Sequence, residues 1–339
     1  MIVGVDWSHQ ILRLGRRSVD LAMEASVVGS FTKIGYNVRS RMYEWDALPD
    51  LAGRTIVLTG ATSGIGRAAA DELGAFGAEL VLVGRSKRRT QATAMALQKK
   101  HGGSVHVVIA DLSELEAVRS ACTELVQFSR IDALLHNAGA LSDKYETTSE
   151  GYEKTFATHV LGPHVMTREL LPIIQRTGDG RVITMTSGGM YAERLETQSV
   201  MMAREEYDGV RAYARAKRAQ VALNGEWAMR EPSAAVFHAV HPGWAATPGV
   251  RDSLPTFNKV MAPLLRDPYQ GADTMVWLAA AEEPLRSSGV LWLDRHPRHA
   301  NKVPWTITGP EQSTQLWNLV EGMTAQPAER GDGARDAKA

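Results

Sequence analysis

A glycine-rich turn between a strand-like and a helix-like stretch constrains the fold of this chain more than any other feature. Residues 59–66 read TGATSGIG and follow the apolar run 55–58. Gly60 can take the tight turn out of the strand, Gly64 lets backbone N–H groups approach a pyrophosphate, and Gly66 allows a helix to pack closely on the sheet. Phosphates would lie at the helix N-terminus, where unpaired N–H groups and the helix dipole favour anions. An ordinary strand-to-helix turn is the alternative to a dinucleotide phosphate site formed by Gly60, Thr62, Ser63, Gly64, Ile65 and Gly66.

Apolar, strand-like runs alternate with amphipathic, helix-like segments along most of the chain. This alternation predicts one doubly wound α/β domain of the Rossmann type, with about seven parallel strands and helices on both faces of the sheet. No repeat of solenoid length interrupts the pattern. The strand-like runs are 55–58, 80–83, 105–109, 133–136, 181–185, 236–240 and 290–293.

The two ends of the chain fall outside this domain, which we place at residues 51–300. Apolar residues recur at near-helical spacing between positions 12 and 27, which predicts a helical extension over residues 1–50. Within it, we expect residues 10–36 to form an amphipathic arm that covers apolar surface of its own domain or of a partner subunit. Residues 301–323 are expected to pack on the domain. Residues 324–339 are rich in Ala, Gly, Asp, Arg and Lys and lack apolar periodicity, so we expect a disordered tail.

Charge, cysteine content and hydropathy bear on which partners and which location to expect. The sequence has 38 basic and 38 acidic residues, so net charge gives no reason to expect nucleic acid or an anionic membrane as a partner. Its single cysteine cannot form an internal disulfide. The sequence contains neither an apolar run of transmembrane length nor a signal-peptide pattern, so a cytoplasmic location is the default expectation. No metal site is predicted.

Several motifs downstream of the glycine turn occur in an order that resembles the short-chain dehydrogenase/reductase family. Residues 136–139 read HNAG and are similar to the family's NNAG motif, and residues 213–217 read YARAK and match its YxxxK signature. The N-terminal extension, together with residues 187–190, 241–251 and 271–279, resembles the branch called dehydrogenase/reductase member 12. The long spacer between Ser187 and Tyr213 resembles that of retinol-dehydrogenase-like members. The family resemblance implies an alcohol–carbonyl oxidoreductase and, by analogy alone, a homo-oligomer.

The resemblance also assigns roles to individual residues. It implies Ser187, Tyr213 and Lys217 as catalytic residues, with Tyr213 and Lys217 contacting the cofactor as well. The remaining cofactor contacts that it implies are Asp111 and Leu112 beside the adenine, Asn137, Ala138 and Gly139 after the fourth strand, and Pro242, Gly243, Trp244 and Thr247 around the nicotinamide.

The spacing of Tyr213 and Lys217 supports this chemistry independently. Residues four apart share a helix face, so Lys217 comes beneath Tyr213 and can point its ammonium group toward the phenolic oxygen. A free tyrosine has a pKa of about 10, and a nearby cation favours the phenolate, which would make Tyr213 an acid/base near neutral pH. Ser187 can donate a hydrogen bond to a substrate carbonyl or a developing alkoxide. A solvated helix face is the alternative interpretation of the Tyr/Lys pair.

His159 departs from the family pattern. The family usually has an Asn at this place, which holds a water in a proton relay to the lysine. An imidazole can also donate and accept hydrogen bonds, so the relay could survive with an acid limb near the ordinary histidine pKa of about 6.5. A structural replacement in a chain with weak activity is the other interpretation, and inspection of the sequence does not separate the two.

Arg85 bears on the choice of cofactor. It follows the second strand, where an NAD enzyme usually has an acidic residue for the ribose hydroxyls. A guanidinium group can instead pair with a 2′-phosphate, so NADP(H) is favoured over NAD(H). A solvated basic helix start is the alternative for the residues that follow Arg85.

Ser187 and Tyr213 are 26 positions apart, about twice the spacing in the shortest members of the family that the chain resembles. The resemblance therefore implies extra residues between them, roughly 190–211. An insertion between two catalytic residues is expected to rim the substrate pocket. Flexible side chains such as Met190, Met201 and Met202 suit an apolar ligand of irregular shape. A surface flap without ligand contact is the alternative.

Together these features predict an NADP(H)-dependent oxidoreductase that interconverts an alcohol and a carbonyl on an apolar small molecule. Tyr213 would be its acid/base. A cofactor-binding protein kept for regulation or assembly, whose chemistry has lapsed, is the rival hypothesis. His159 is the feature that favours the rival.

Overall fold

A computed structural model describes residues 7–325, with side chains from residue 15 onward, and its centre is one eight-stranded sheet. The strands are β1 Thr55–Thr59, β2 Glu79–Gly84, β3 Val105–Ile109, β4 Ala133–His136, β5 Arg181–Met185, β6 Val236–Val240, β7 Val290–Leu293 and β8 His296–Arg298. Their order across the sheet is β3-β2-β1-β4-β5-β6-β7-β8. The first seven strands pair in parallel and β8 pairs antiparallel with β7.

The central strands form because apolar residues are buried on both faces of the sheet. Every residue of β1 is buried, as is typical of parallel strands covered by helices on both sides. Alternate side chains of a strand point to opposite faces. Accordingly, Val57 packs in one apolar core, while Ile56 and Leu58 pack in the other.

Helices cover both faces. Residues of α4, α5 and α12 form the core on one face, and residues of α6, α8, α9 and α13 form the core on the other. The helices are α1 Trp7–Ala25, α2 Val27–Phe31, α3 Lys33–Met42, α4 Gly64–Ala75, α5 Lys87–His101, α6 Leu115–Leu125, α7 Lys154–Phe156, α8 Gly162–Gln175, α9 Gly209–Arg230, α10 Pro248–Ser253, α11 Pro255–Met261, α12 Pro268–Ala280 and α13 Pro310–Thr324, with a π-helical segment, Ala157–Leu161, between α7 and α8.

The predicted Rossmann-type α/β fold with seven parallel strands is confirmed, and the structure adds one strand. The turn between β7 and β8 consists of Asp294 and Arg295, which both have positive φ angles, 54° and 56°. This is the backbone geometry of a tight two-residue hairpin. Pro297 lies within β8, and proline is tolerated there because β8 is at the edge of the sheet.

The N-terminal segment, residues 7–46 with helices α1 to α3, lies against the β7–β8 turn. Arg39 of α3 donates a hydrogen bond to Asp294 at 2.8 Å. The tail predicted at 324–339 lies outside the described residues, apart from Thr324 at the end of α13 and the residue after it. None of the helices between residues 7 and 325 is long and apolar enough to cross a membrane.

Candidate active site

A cavity of about 400 Å³ opens where β1, β4, β5 and β6 end. Ligands of open α/β sheets bind at this carboxyl edge. The residues predicted for the site that line the cavity are Gly60, Ser63, Gly64, Ile65, Gly66, Asn137, Ala138, Gly139, Ser187, Tyr213, Lys217, Pro242, Gly243, Trp244 and Thr247. The predicted residues that do not line it are Thr62, Arg85, Asp111, Leu112 and His159.

The glycine turn forms one wall and leaves no room for side chains. Gly60 has a φ of 75°, and a Cβ atom added to it would lie 2.6 Å from the Cα atom of Ala138. A Cβ on Gly66 would lie 2.3 Å from both the Gly60 carbonyl oxygen and Asn137 Nδ2. The turn therefore brings the first N–H groups of α4 against the cavity, which is the arrangement that binds phosphate.

Asn137 ties two strand ends together. Its Nδ2 donates to the carbonyl oxygens of Thr59 at 3.1 Å and Gly60 at 3.3 Å. The Thr59 hydroxyl accepts hydrogen bonds from the backbone N–H groups of Asn137 and Ala138, each at 3.0 Å. The amide of Asn137 thus fixes the glycine turn against the end of β4.

Tyr213 and Ser187 meet on the opposite wall. Helix α9 begins after Asp208, whose carboxylate accepts a hydrogen bond from the Arg211 N–H at 2.9 Å. This cap places Tyr213 in the second turn of the helix, opposite the end of β5. Burial raises the pKa of Tyr213 to about 12, and an interaction with the Ser187 hydroxyl offsets part of that rise.

Lys217 lies one helical turn beyond Tyr213 and is buried. Its Nζ donates to the Met185 carbonyl oxygen at 2.7 Å and lies 5.4 Å from the centroid of the Tyr213 ring. Burial lowers the pKa of Lys217 to about 7. The expectation that the cation lowers the pKa of Tyr213 is wrong for this geometry. The ammonium group faces the Met185 carbonyl and the ring of Tyr213, and burial is the main cause of the pKa shift of both residues.

His159 lies behind the cavity wall, within the π-helical segment. Its Nδ1 is 2.7 Å from the Thr155 carbonyl oxygen and must donate to it, which leaves Nε2 as an acceptor. Nε2 has no hydrogen-bond partner among residues 15–325. It lies beside Gly139, since a Cβ there would be 2.6 Å from Nε2 and 3.7 Å from Lys217 Nζ. The rings of His159 and Tyr213 are perpendicular, with centroids 5.2 Å apart.

The electrostatics of His159 differ from the sequence prediction. Burial and the charge of Lys217 lower its pKa to about 3. The ring is therefore neutral throughout the ordinary working range of an enzyme. The acid limb predicted near pH 6.5 does not follow from a histidine in this environment.

The residues predicted to contact the adenine side lie beyond the cavity, after β2 and β3. Arg85 is exposed and directly follows Gly84, the last residue of β2. Asp111 accepts hydrogen bonds from the Ser113 N–H and hydroxyl at 3.0 and 2.7 Å. Burial raises the pKa of Asp111, but these hydrogen bonds and the charge of Arg85 outweigh it and lower the pKa overall. Arg85 and Asp111 are thus electrostatic neighbours.

The apolar wall differs from the predicted one. Met190, Met201 and Met202 do not line the cavity. Met190 is fully buried in a small core with Ala239 and Leu291. The expectation of a methionine rim is wrong because these side chains pack into the domain, and Val210 is the part of segment 190–211 that reaches the cavity.

Other apolar residues, missed from the sequence, complete this wall. They are Leu141, Val250, Leu254 and Phe257. Val250 and Phe257 belong to the short helices α10 and α11, which begin at Pro248 and Pro255, and Leu254 is the residue between the two helices. Prolines at first helical positions, directly after the Pro-Gly motif, are the sequence signal that could have identified this cover.

No group of three or more His, Cys, Asp or Glu side chains within the described part of the chain is arranged to hold a metal ion. The donors that do converge at the cavity are backbone N–H groups, hydroxyl groups and one buried ammonium group. These suit phosphate and hydroxyl groups of an organic ligand.

Comparisons with known proteins agree with this geometry. The family model described as short chain dehydrogenase matches residues 54–256. Human dehydrogenase/reductase SDR family member 12 is 37% identical over 300 residues, which cover 86% of this chain and 93% of the human protein. Human retinol dehydrogenase 14 is 29% identical over 293 residues, covering 80% of this chain and 86% of that protein.

A solved structure shows the same fold with a nucleotide bound. It is a protein from Beutenbergia cavernae assigned as an NAD(P)-dependent gluconate 5-dehydrogenase, with NADP at low occupancy. The two chains are 26% identical, with a TM-score of 0.60, and the match covers 72% of this chain and 96% of that one. This chain therefore belongs to the short-chain dehydrogenase/reductase family of NAD(P)-dependent oxidoreductases.

Proposed function

We propose that the protein is an NADP(H)-dependent oxidoreductase that interconverts an alcohol and a carbonyl on an apolar small molecule. One observation carries this proposal: Ser187, Tyr213 and Lys217 line the same cavity as the glycine turn. A phosphate site alone would fit any nucleotide-binding protein. A serine, a tyrosine and a buried lysine beside it supply the groups that move a proton to or from a substrate oxygen.

The residues of the cavity fit a dinucleotide. The glycine turn and the N-terminus of α4 would hold the pyrophosphate, and the 241–247 loop, residues His241 to Thr247, would hold the nicotinamide end. When bound, the cofactor supplies the hydride. The protein then has to orient the substrate, exclude water and transfer one proton.

Tyr213 is the proposed proton donor in the reducing direction. With a pKa raised to about 12, its phenol stays protonated at neutral pH and can give that proton to a carbonyl oxygen. The Ser187 hydroxyl, close to the same oxygen, can hold the carbonyl in place and stabilise the developing alkoxide. In the oxidising direction the same proton returns from the alcohol to Tyr213.

We propose that Lys217 returns that proton to Tyr213 and that His159 holds the water from which Lys217 is protonated again. Lys217 has one hydrogen bond to a carbonyl and further N–H groups available, and His159 Nε2 and Lys217 Nζ both lie beside Gly139. One water between Nζ and Nε2 would satisfy both groups. His159 would then act as a neutral acceptor, so it would not need to be protonated.

An apolar substrate is supported by the cavity wall. Leu141, Val210, Leu254 and Phe257 line the same cavity as Tyr213. One relative is named retinol dehydrogenase 14, and retinol is an apolar alcohol, which is consistent with an apolar cavity wall. Shape and polarity therefore favour aldehydes, ketones or alcohols with large apolar groups.

The test is a panel of steroids, retinoids, aliphatic aldehydes and quinones assayed with NADPH and NADH, with Tyr213→Phe as the control enzyme. We expect turnover of at least one apolar carbonyl compound, lost in the control. Tight NADPH binding without turnover of any panel member would instead favour the lapsed, regulatory protein that His159 suggests.

Arg85 provides the test of cofactor choice. We expect Arg85→Ala to weaken NADPH binding more than NADH binding, by about 1.5 to 3 kcal/mol, because a charged partner of the 2′-phosphate is lost. Isothermal titration with each cofactor measures this difference. Arg88→Ala, another exposed arginine in the first turn of α5, is the matched control and should change neither affinity. An equal loss for both cofactors would show that the 2′-phosphate is recognised elsewhere.

His159 provides a test of the relay. We expect His159→Asn to keep turnover within about threefold of wild type, because an amide can replace a neutral imidazole as an acceptor. His159→Ala should lower kcat about tenfold or more, since a hydrogen-bonded relay is interrupted. Because the pKa of His159 is lowered to about 3, the ratio of wild-type to His159→Asn activity should stay constant between about pH 5 and 8.

The measurement is kcat for the three proteins across that pH range. Equal turnover of all three would assign His159 a packing role alone. A wild-type acid limb near pH 6.5 that His159→Asn removes would contradict the neutral, buried histidine.

A further inference from the structure

A chain of fully buried charges joins the N-terminal segment to the active-site edge of the sheet. The side chains of Arg39 and Asp294 have 0% exposure and that of Arg266 has 1%. Asp294 accepts hydrogen bonds from Arg39 at 2.8 Å and from two nitrogens of Arg266 at 2.6 and 2.9 Å. This carboxylate therefore connects α3 with the segment that precedes α12.

Arg266 then connects the N-terminal segment with the 241–247 loop. Its guanidinium donates to the carbonyl oxygens of Ser30 at 2.9 Å, Phe31 at 3.1 Å and Pro242 at 3.4 Å. Its backbone N–H donates to the Trp244 carbonyl oxygen at 2.8 Å. Arg266 thus holds the end of α2 and one cavity residue, Pro242, with its side chain, and a second cavity residue, Trp244, with its backbone.

Phe31 makes the direct contact with the 241–247 loop. Its carbonyl oxygen accepts a hydrogen bond from the Trp244 N–H at 2.7 Å. Its ring packs edge-on against His241, with centroids 4.3 Å apart, and against Trp244 at 5.8 Å. A Cβ on Gly243 would lie 2.7 Å from the Phe31 carbonyl oxygen, and one on Gly188 would lie 3.1 Å from the Phe31 ring.

These contacts place Phe31 directly behind two walls of the cavity. Gly188 follows Ser187, and Gly243 lies in the loop proposed for the nicotinamide. Any shift of the turn between α2 and α3 would therefore be transmitted to residues that line the cavity, although Phe31 itself does not line it.

We infer that Phe31, Arg39 and Arg266 are positioning residues: they set the conformation of the 241–247 loop, and through it the affinity for the nicotinamide half of the cofactor. The inference rests on the proposed cofactor site. It makes the N-terminal segment a part of the active site, which a role in covering apolar surface does not require.

Arg39→Met is the main variant. It removes the α3 end of the charge chain, while Asp294 keeps both bonds from Arg266. The other two carboxylates that Arg39 contacts also keep partners: Asp20 keeps Arg298 at 2.7 and 3.1 Å, and Glu24 keeps Arg298 and Lys302. No carboxylate is left unpaired, so the protein should fold. Phe31→Leu is the second variant, since it removes the ring but keeps the backbone carbonyl.

The readout is the binding of NADPH and of 2′,5′-ADP, which lacks the nicotinamide, each measured by calorimetry. We expect Arg39→Met to weaken NADPH binding about tenfold, because the 241–247 loop loses its link to α3 through Asp294. Phe31→Leu should weaken it about threefold, and both variants should bind 2′,5′-ADP within about twofold of wild type.

Arg181→Met is the matched control. Arg181 is also a buried arginine that donates to two carbonyl oxygens, those of Leu278 and Ala281, but it begins β5 at the opposite edge of the sheet. The Arg181→Met protein should be less stable than wild type, but its affinity for NADPH should not fall more than its affinity for 2′,5′-ADP.

Three results would overturn the inference. The first is an equal loss of both ligands in the folded Arg39 and Phe31 variants, and the second is no loss of either. The third is a selective NADPH loss in Arg181→Met as large as in the other variants. If wild type bound neither NADPH nor NADH, the proposed function would fail first, and this inference with it.

Discussion

Tyr213→Phe is expected to lower kcat for carbonyl reduction by about 10²- to 10⁴-fold, the usual contribution of a positioned acid/base. The Kd for NADPH should stay within about twofold of wild type. The ring would keep its perpendicular packing on His159 and its place over Lys217 Nζ, so the change removes one hydroxyl group and little else. Single-turnover kinetics with saturating NADPH measure the loss in the chemical step.

Tyr207→Phe is the control for this experiment. The Tyr207 hydroxyl bonds Thr155 Oγ1 at 3.0 Å and the Ser142 carbonyl oxygen at 3.1 Å, outside the cavity lining. Its loss should cost stability by about 1 kcal/mol and leave kcat unchanged. Turnover retained by Tyr213→Phe would remove Tyr213 from the mechanism.

Lys217→Met is expected to have opposite effects on activity and stability. Turnover and NADPH affinity should fall together, with kcat lowered about 10²-fold, because the variant lacks the buried cation of the relay. The free energy of unfolding should instead rise by on the order of 2 kcal/mol at pH 7, because burying a charged lysine disfavours the folded state.

The pH dependence of this stability difference follows from the lowered pKa of Lys217. As pH falls below about 10, the unfolded chain binds the proton first, so the lysine increasingly favours unfolding. The penalty reaches its full size near pH 7, where the folded protein also takes the proton. In urea-unfolding experiments, the free energy of unfolding of Lys217→Met should therefore exceed that of wild type by an amount that grows as the pH falls from 10 to 7.

Lys100→Met is the contrasting variant. Lys100 is exposed, and its hydrogen bonds to Asp71 at 2.6 and 2.9 Å raise its pKa. Removing it should give no gain in stability at any pH. A Lys217→Met protein that is no more stable than wild type at pH 7 would show that the buried ammonium group is better compensated than burial implies.

The fold could be predicted because its signals are local. Each parallel strand is a short apolar run buried on both faces, and the glycine turn fixes where the first helix begins. Strand β8 could not be predicted this way. It is three residues long, contains Pro297 and follows a turn without glycine, although Asp294 and Arg295 both adopt positive φ.

The types of residue in the site could be predicted from the sequence, but the burial and pKa values of those residues could not. Spacing places Tyr213 and Lys217 on one helix face, yet the direction of each pKa depends on burial by distant segments. The apolar wall depends on tertiary packing in the same way. The flexible side chain of Met190 suits a ligand pocket, but it packs in a small core with Ala239 and Leu291. Leu254 and Phe257, which follow β6 in the sequence, line the cavity instead.

The chain of buried charges has a consequence for the order in which the protein folds during its synthesis. Arg39 leaves the ribosome 255 residues before its partner Asp294. At about 5 to 20 residues per second, that interval is on the order of tens of seconds. During synthesis the Arg39 guanidinium can pair with Asp20 and Glu24, which are made before it, but it must wait for Asp294. The first part of the chain to be made is therefore among the last to dock on the sheet. A chain that stalled before residue 294 could complete most of the sheet and still lack the carboxylate that anchors α3.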